Sequence, residues 1–485
     1  MAGNTQSNIS IRQRSLRSAL VFTVLDVSSC NGRRSSAPTG SRTPVKWRRP
    51  LALLVASFFV LAGTGGPASA HDEMPKPPSG TAPGMTPNMR LIGHVNPGPV
   101  TNGDIFGFGK HAYLASWVGR GCLSSGVRVY DLANPARPAH VSTFADRVSE
   151  PDLAGTWTEK VIVAKVHTRH FRGDVAAVSV QTCNRSDTTT FRGFALYDVT
   201  NPAHPRPLAR YMTPNTRGSH EIWLGSHGGQ AFVYTAILRS EWTSSPTYDP
   251  ATNNATTPGR ADFRIVDIAD PRHPVDVGEW GAWRELGLVP VEKPSAPGTG
   301  FQNFTHSVRV DERLSRAYLS YWDLGTVILD IRNPARPRYL GRTEPEQGAA
   351  HSTAVDPSGR LLIETHETDG GIPMIYDISN PARPRELSHL DKDGAADTMV
   401  HDPKLHGHRA YFSWYDHGVV VADVSWPTRP RIIGQFMPDD PTPNPDFCPA
   451  PGGCVQVWGV FLLGNLILAS DMNSGLYVIR MTGRP

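Results

Sequence analysis

The sequence predicts an all-β chain folded as a seven-bladed β-propeller with four-stranded blades. Three observations carry that prediction. A phrase of strand, Asp, Asn-Pro and Arg-Pro recurs through the chain; two further strand candidates precede each copy; and the repeated region lacks its last strand at the C-terminal end but carries a spare one at its start.

The phrase reads "VRVYDLANPARPAHVSTF" (127–144), "FALYDVTNPAHPRPLARY" (194–211), "FRIVDIADPRHPVDVGEW" (263–280), "VILDIRNPARPRYLGRT" (327–343), "MIYDISNPARPRELSHL" (374–390) and "VVVADVSWPTRPRIIGQF" (419–436), with a worn seventh copy, "GLYVIRMTGRP" (475–485). Alternating β-branched and aromatic residues make a strand. The Asp that ends it accepts backbone N–H groups in the following turn. The two prolines stiffen the connection without needing N–H donors. A second strand follows, so each copy is the outer hairpin of a larger unit. The marker aspartates, Asp131, Asp198, Asp267, Asp330, Asp377 and Asp423, are spaced 46 to 69 residues apart, which places loops of different length between strands.

Ahead of the phrase lie "HSVRV" (306–310) and "RAYLSYW" (316–322) in repeat four, "VHDPKL" (400–405) and "RAYFSWY" (409–415) in repeat six, and "VWGVFL" (457–462) and "NLILASD" (465–471) in repeat seven. Repeat seven stops after its third strand. "MRLIGHV" (89–95) reads like a fourth strand, much as "PRIIGQF" (430–436) does. Pairing the chain ends closes the ring and covers the edges an open sheet would expose. A β-solenoid or a pair of sandwiches gives no reason for a missing last strand supplied at the start.

The phrase resembles the LVIVD repeat of bacterial and archaeal secreted or surface proteins, and the resemblance covers residues 89–485, densest in repeats four to seven. It implies a propeller. It blurs at "TRHFRGDVAAVSVQTCNRSDTTTF" in repeat two and lacks the Asp-Pro phrase in repeat seven. It supports the fold far more than a function.

Residues 1–70 read as a targeting segment. "KWRR" (46–49) is basic, "LALLVASFFVLA" (51–62) is apolar, and "GTGGPASA" (63–70) ends in small residues suited to cleavage after Ala70. Twelve apolar residues fall short of the about 20 a spanning helix needs, so no membrane span is expected in the mature chain. Residues 71–88 read as a flexible leader, and a new N-terminal His71 could chelate copper. This first segment holds nine basic residues and one acid, which leaves 39 basic residues against 43 acidic beyond it. The formal charge of +4 therefore misleads, and nucleic acid is excluded as a partner. Export fits four remaining cysteines, expected as Cys122–Cys183 and Cys448–Cys454 disulfides; without a CxxC pair, a zinc site on these cysteines is a weaker reading.

In a propeller the first strand of each blade lines the central channel. His220, His306, His351 and His401 precede or begin those strands in blades three to six, at one mouth. Near the matching sites of blades one, two and seven stand Asp104, Glu159 and Trp458. Trp117, Trp322, His366, Tyr415 and Asp471 close the second strands on the same face, with Asp323, Asp416 and His417 just beyond. Long insertions at 243–260, 284–300 and 437–454 exit there too. Imidazoles suit Zn, Cu or Fe, and Glu221, Glu364 and Glu367 are candidates to orient the rings. A four-His centre on a propeller axis is similar in architecture to that of carotenoid-cleaving oxygenases. The structural alternative has each His donate to a carbonyl of the next blade and bridge the two.

"DKDGAAD" (391–397) lacks the closing Glu of a calcium loop and reads as a turn. No GxSxG, P-loop, HExxH or dinucleotide-binding glycine pattern occurs. The expected function is an exported platform binding an extracellular ligand or protein. The alternative is a metal-dependent oxidative or hydrolytic enzyme on the four histidines, in which case their nitrogens converge on one point.

Overall fold

The structure is a computed structural model. It describes residues 85–483 except 124, 185–188, 215–217, 238–247, 250–253, 256–260, 287–303, 323, 346, 393–397 and 439–453. The expected targeting segment and leader lie outside the described residues, as do most of the three long insertions.

Seven antiparallel four-stranded sheets form the blades. Their innermost strands are Asn102–Phe108, Val161–His167, Ile222–His227, Thr305–Asp311, Ala350–Val355, Pro403–His406 and Val457–Leu463, from blade one to blade seven. Each neighbours the next, and the last neighbours the first. Blade seven takes its outer strand from the start of the chain: Met89–Val95 pairs with Gly475–Met481. The ring is thus closed by the N-terminal strand, as the sequence predicts. The region that blurred the repeat is the long strand Arg172–Thr182 of blade two, which pairs with Thr156–Trp157 as well as with the innermost strand.

The core lies between blades. One apolar cluster fills each of the seven interfaces; between blades four and five, for example, Tyr318 and Ile328 pack with Leu362, Met374, Tyr376 and Ile378. Among the described residues no helix is long and apolar enough to cross a membrane.

The recurring phrase has two structural jobs. Its Asp accepts the N–H two residues on, at 2.7 Å in Ala133→Asp131 and 2.9 Å in Ser379→Asp377 and Ser425→Asp423. Its first proline does more than stiffen a turn: its carbonyl docks against the preceding blade. Every outer strand carries a β-bulge, and in five of them the residue just after it meets that carbonyl. A Cβ on Gly93, Gly278 or Gly341 would lie 2.2, 1.9 or 2.2 Å from the oxygen of Pro135, Pro334 or Pro381. Ser142 and Ser388 instead donate to Pro202 and Pro427 at 2.6 and 2.5 Å. Blade seven lacks the phrase, and there Gly434 of blade six faces the flexible Met89 and Met481 side chains.

Candidate functional site

The inner strands are bulged as well. Thr305 pairs with Tyr321 and Ser307 with Ser320, so His306 is the extra residue; the same slip places His351 and Trp458 at the bulges of blades five and seven. A bulge re-aims a side chain that regular alternation would send elsewhere. In blade one the irregularity spans Gly103 and Asp104, and pairing resumes at Ile105. Gly103 therefore matches the histidine position and Asp104 the residue after it.

The four histidines do stand together. Ring centroids are 4.5 Å apart for His220–His306, 4.0 Å for His306–His351 and 4.1 Å for His351–His401, and Trp458 continues the arc 4.0 Å from His401. All four are buried. Aromatic side chains cover them, with Trp322 at 5.2 Å from His306, Trp157 at 6.5 Å from His220 and Tyr415 at 5.7 Å from His401. Trp117, Trp157 and Trp458 pack together beside Met472.

Their bonding is unequal. His306 Nδ1 lies 3.1 Å from the main-chain oxygen of His351, and His351 Nδ1 lies 2.8 Å from that of His401. A carbonyl can only accept, so in the neutral rings Nδ1 carries the proton and Nε2 the lone pair. Burial pushes the His351 pKa down to about 3, with the charge of His220 adding to the effect, so this ring is neutral. His351 Nε2 faces Glu367 Oε2 at 3.4 Å, and Glu367 accepts from the Tyr415 hydroxyl. Burial pushes the Glu367 carboxyl up to about 8; the Tyr415 bond opposes this, and Glu159 and Glu221 reinforce it.

His220 looks the other way. Its Nδ1 is 2.9 Å from Gln181 Nε2 and 3.0 Å from Glu159 Oε2, while its Nε2 meets His306 Nε2 at 3.0 Å. His401 stacks between His351 and Trp458. The four rings therefore do not act as one equivalent set. One potential ligand atom from each of His306, His351 and Glu367 lies within 4.8 Å of the others, which makes these three a compact donor group.

Other expected site residues have separate places. Glu221 follows His220 but points along the channel to Lys160, at 2.9 Å. Glu364 is fully buried and accepts from the Thr326 backbone at 2.7 Å and from the Thr326 and Thr343 hydroxyls; His366 sits 3.3 Å from it and bonds Gly348 O at 2.9 Å. Asp416 accepts from Thr398. His417 lies under Trp414, with ring centroids 6.1 Å apart. Asp471 organises its loop, accepting from the N–H groups of Gln456, Asn473 and Ser474, and burial raises its pKa. Asp323 lies outside the described residues.

Cys122 and Cys183 are bonded, with Cα atoms 6.1 Å apart. Cys454 is also disulfide-bonded; its expected partner, Cys448, lies outside the described residues. Gln181 escaped the sequence reading because it sits in the blurred second repeat. Glu159 was visible only as the residue at a histidine-equivalent position.

Comparison with known proteins adds one assignment. The profile of the LVIVD repeat matches residues 316–344, the second to fourth strands of blade four. No curated protein sequence matches. Among solved structures, the computationally designed Ika8 protein is similar at 8% identity and a TM-score of 0.46, over 81% of this chain and 99% of its own. With the ring of seven blades, the repeat match identifies the chain as a seven-bladed β-propeller carrying the LVIVD repeat.

Proposed function

We propose that the protein is an exported, non-catalytic binding propeller whose axis is pinned by one divalent transition-metal ion on His306, His351 and Glu367. The observation that carries this reading is the buried donor group itself, with ligand atoms within 4.8 Å of one another. Two features support it. Both Nδ1 atoms face carbonyls, the outer bond that ordinarily fixes the tautomer of a metal-binding histidine. His351 Nε2 and Glu367 Oε2 are buried without a hydrogen bond, a costly state that a cation between them would relieve. In His351, bridging and ligation are then two uses of one ring, Nδ1 for the blade contact and Nε2 for the metal.

Closure favours a structural role. Structural metal sites are closed, whereas catalytic ones keep a position open to substrate. These histidines lie beneath Trp322, Tyr415 and Trp458. Export is supported by the targeting pattern of residues 1–70 and by the Cys122–Cys183 disulfide, a bond that persists in oxidising compartments.

The test is calorimetric titration of chelator-treated protein with Zn²⁺, Cu²⁺ and Fe²⁺. One ion per chain is expected for at least one metal, with loss in His351→Ala. Binding that survives His306→Ala, His351→Ala and Glu367→Ala alike would place the metal elsewhere.

A further inference from the structure

Each histidine is followed along its strand by a residue that faces the channel farther from the aromatic cover: Glu221, Ser307, Ser352 and Asp402. With Asp104 and Lys160 from blades one and two they line an axial cavity. Its ionic lining is three carboxylates (Asp104, Glu221, Asp402) and three cations (Lys160, Lys404, Arg309). All but one of these charges are spent on each other. Lys160 Nζ lies 2.7 Å from Asp104, 2.9 Å from Glu221 and 3.7 Å from Asp402, and Lys404 pairs with Asp402.

Arg309 is the exception. Its guanidinium lies over the Trp223 ring, 4.0 Å from the centroid, and makes no hydrogen bond or ion pair with any described residue. It is half-buried rather than solvated. Asp402, Glu312 and Asp311 act on its charge from a distance; a planar guanidinium over an indole, with an N–H fork bonded to none of them, can still receive an oxyanion. In the lining of the same cavity the Thr353 hydroxyl is buried and has no hydrogen-bond partner. Phe106, Phe461 and Ile162 supply apolar wall to the same cavity. A few polar groups set in an apolar lining make a small-molecule pocket.

We propose that this cavity binds a small organic monocarboxylate with an apolar body, its carboxylate on Arg309 and its body against Phe106, Phe461 and Ile162. The proposal deepens the binding-platform reading by naming a ligand class and does not depend on the metal. Lys160 and Lys404 are no competing anion sites, because their charges are already matched.

The experiment is isothermal calorimetry on the chelator-treated protein with phenylacetate and isovalerate, alongside phenylacetamide and inorganic phosphate. A single site for at least one carboxylate is expected. The amide should bind about tenfold or more weakly, since it forfeits a charge-assisted bond, and phosphate should not compete. Arg309→Leu should abolish binding without shifting the unfolding temperature. If Arg309→Leu does not fold, the acid–amide comparison on the unaltered chain decides. Failure of every carboxylate to bind, equal binding of acid and amide, or displacement by phosphate overturns the proposal. So does carboxylate binding that survives Arg309→Leu, which would put the ligand elsewhere.

Discussion

His306 donates its Nδ1 proton to the main-chain oxygen of His351, 3.1 Å away on the next blade, and so carries its lone pair on Nε2, which meets His220 Nε2 at 3.0 Å. His351 repeats the relation with His401 at 2.8 Å. One bond thus ties neighbouring blades together and fixes which nitrogen can bind a cation. A histidine repeated at this register serves the fold first and provides a metal donor as a consequence.

If the metal pins blades four and five, chelation should cost stability. Removing a bound ion removes its mass-action contribution, about 2.7 kcal/mol at a hundredfold excess over Kd. Thermal unfolding with and without EDTA should show a lower transition for the chelated native protein. His351→Ala should be insensitive to EDTA.

Metal affinity should rise with pH to about 8 and then level off. The Glu367 carboxyl, pushed up to about 8 by burial, must lose its proton to bind a cation, whereas His351, at about 3, is already neutral. In metal-free protein the raised Glu367 pKa makes the folded state hold a proton that the unfolded chain releases. Stability from this group is present below the ordinary glutamate range and is lost as pH rises to about 8. His351 acts oppositely, since its stability is lost as pH falls from the ordinary histidine range toward 3. Urea unfolding of metal-free Glu367→Gln across this range should lack the high-pH loss and keep the low-pH one.

The bulge-to-proline contact makes a contrast among glycines. Gly341→Ala drives a Cβ against the Pro381 oxygen and should destabilise by about 1–3 kcal/mol. Gly434→Ala meets only the ends of Met89 and Met481 at 3.2 Å and should cost well under half of that. Chemical denaturation of the two variants measures the difference.

Cys122→Ser should cost about 2–4 kcal/mol in denaturant unfolding, the usual contribution of a disulfide. Truncation before residue 96 should remove the Met89–Val95 strand and expose the edge of Gly475–Met481; light scattering should then report self-association.

Strands, blade count and ring closure were legible because alternation, the terminal Asp and the paired prolines recur in six of the seven copies. The histidine tier was legible for the same reason. What the prolines touch was not, because Gly341 and Pro381 meet only after two sheets pack. Burial of the rings depends on Trp322 and Trp458, whose positions follow from blade packing rather than strand pattern. Glu367 was visible as an orienting carboxylate; its place beside His351 depends on the loop between the second and third strands of blade five. Gln181 and Lys160 lie in or beside the worn second repeat, where no alignment gave them an address. The Arg309–Trp223 stack joins residues of two blades and has no signature within either.

The most direct measurement is the metal content of the protein purified without chelators, with His306→Ala, His351→Ala and Glu367→Ala prepared in parallel. One transition-metal ion per chain, lost in all three variants, is the result predicted. A native protein free of stoichiometric metal, or variants that retain it, would contradict the metal-pinned axis.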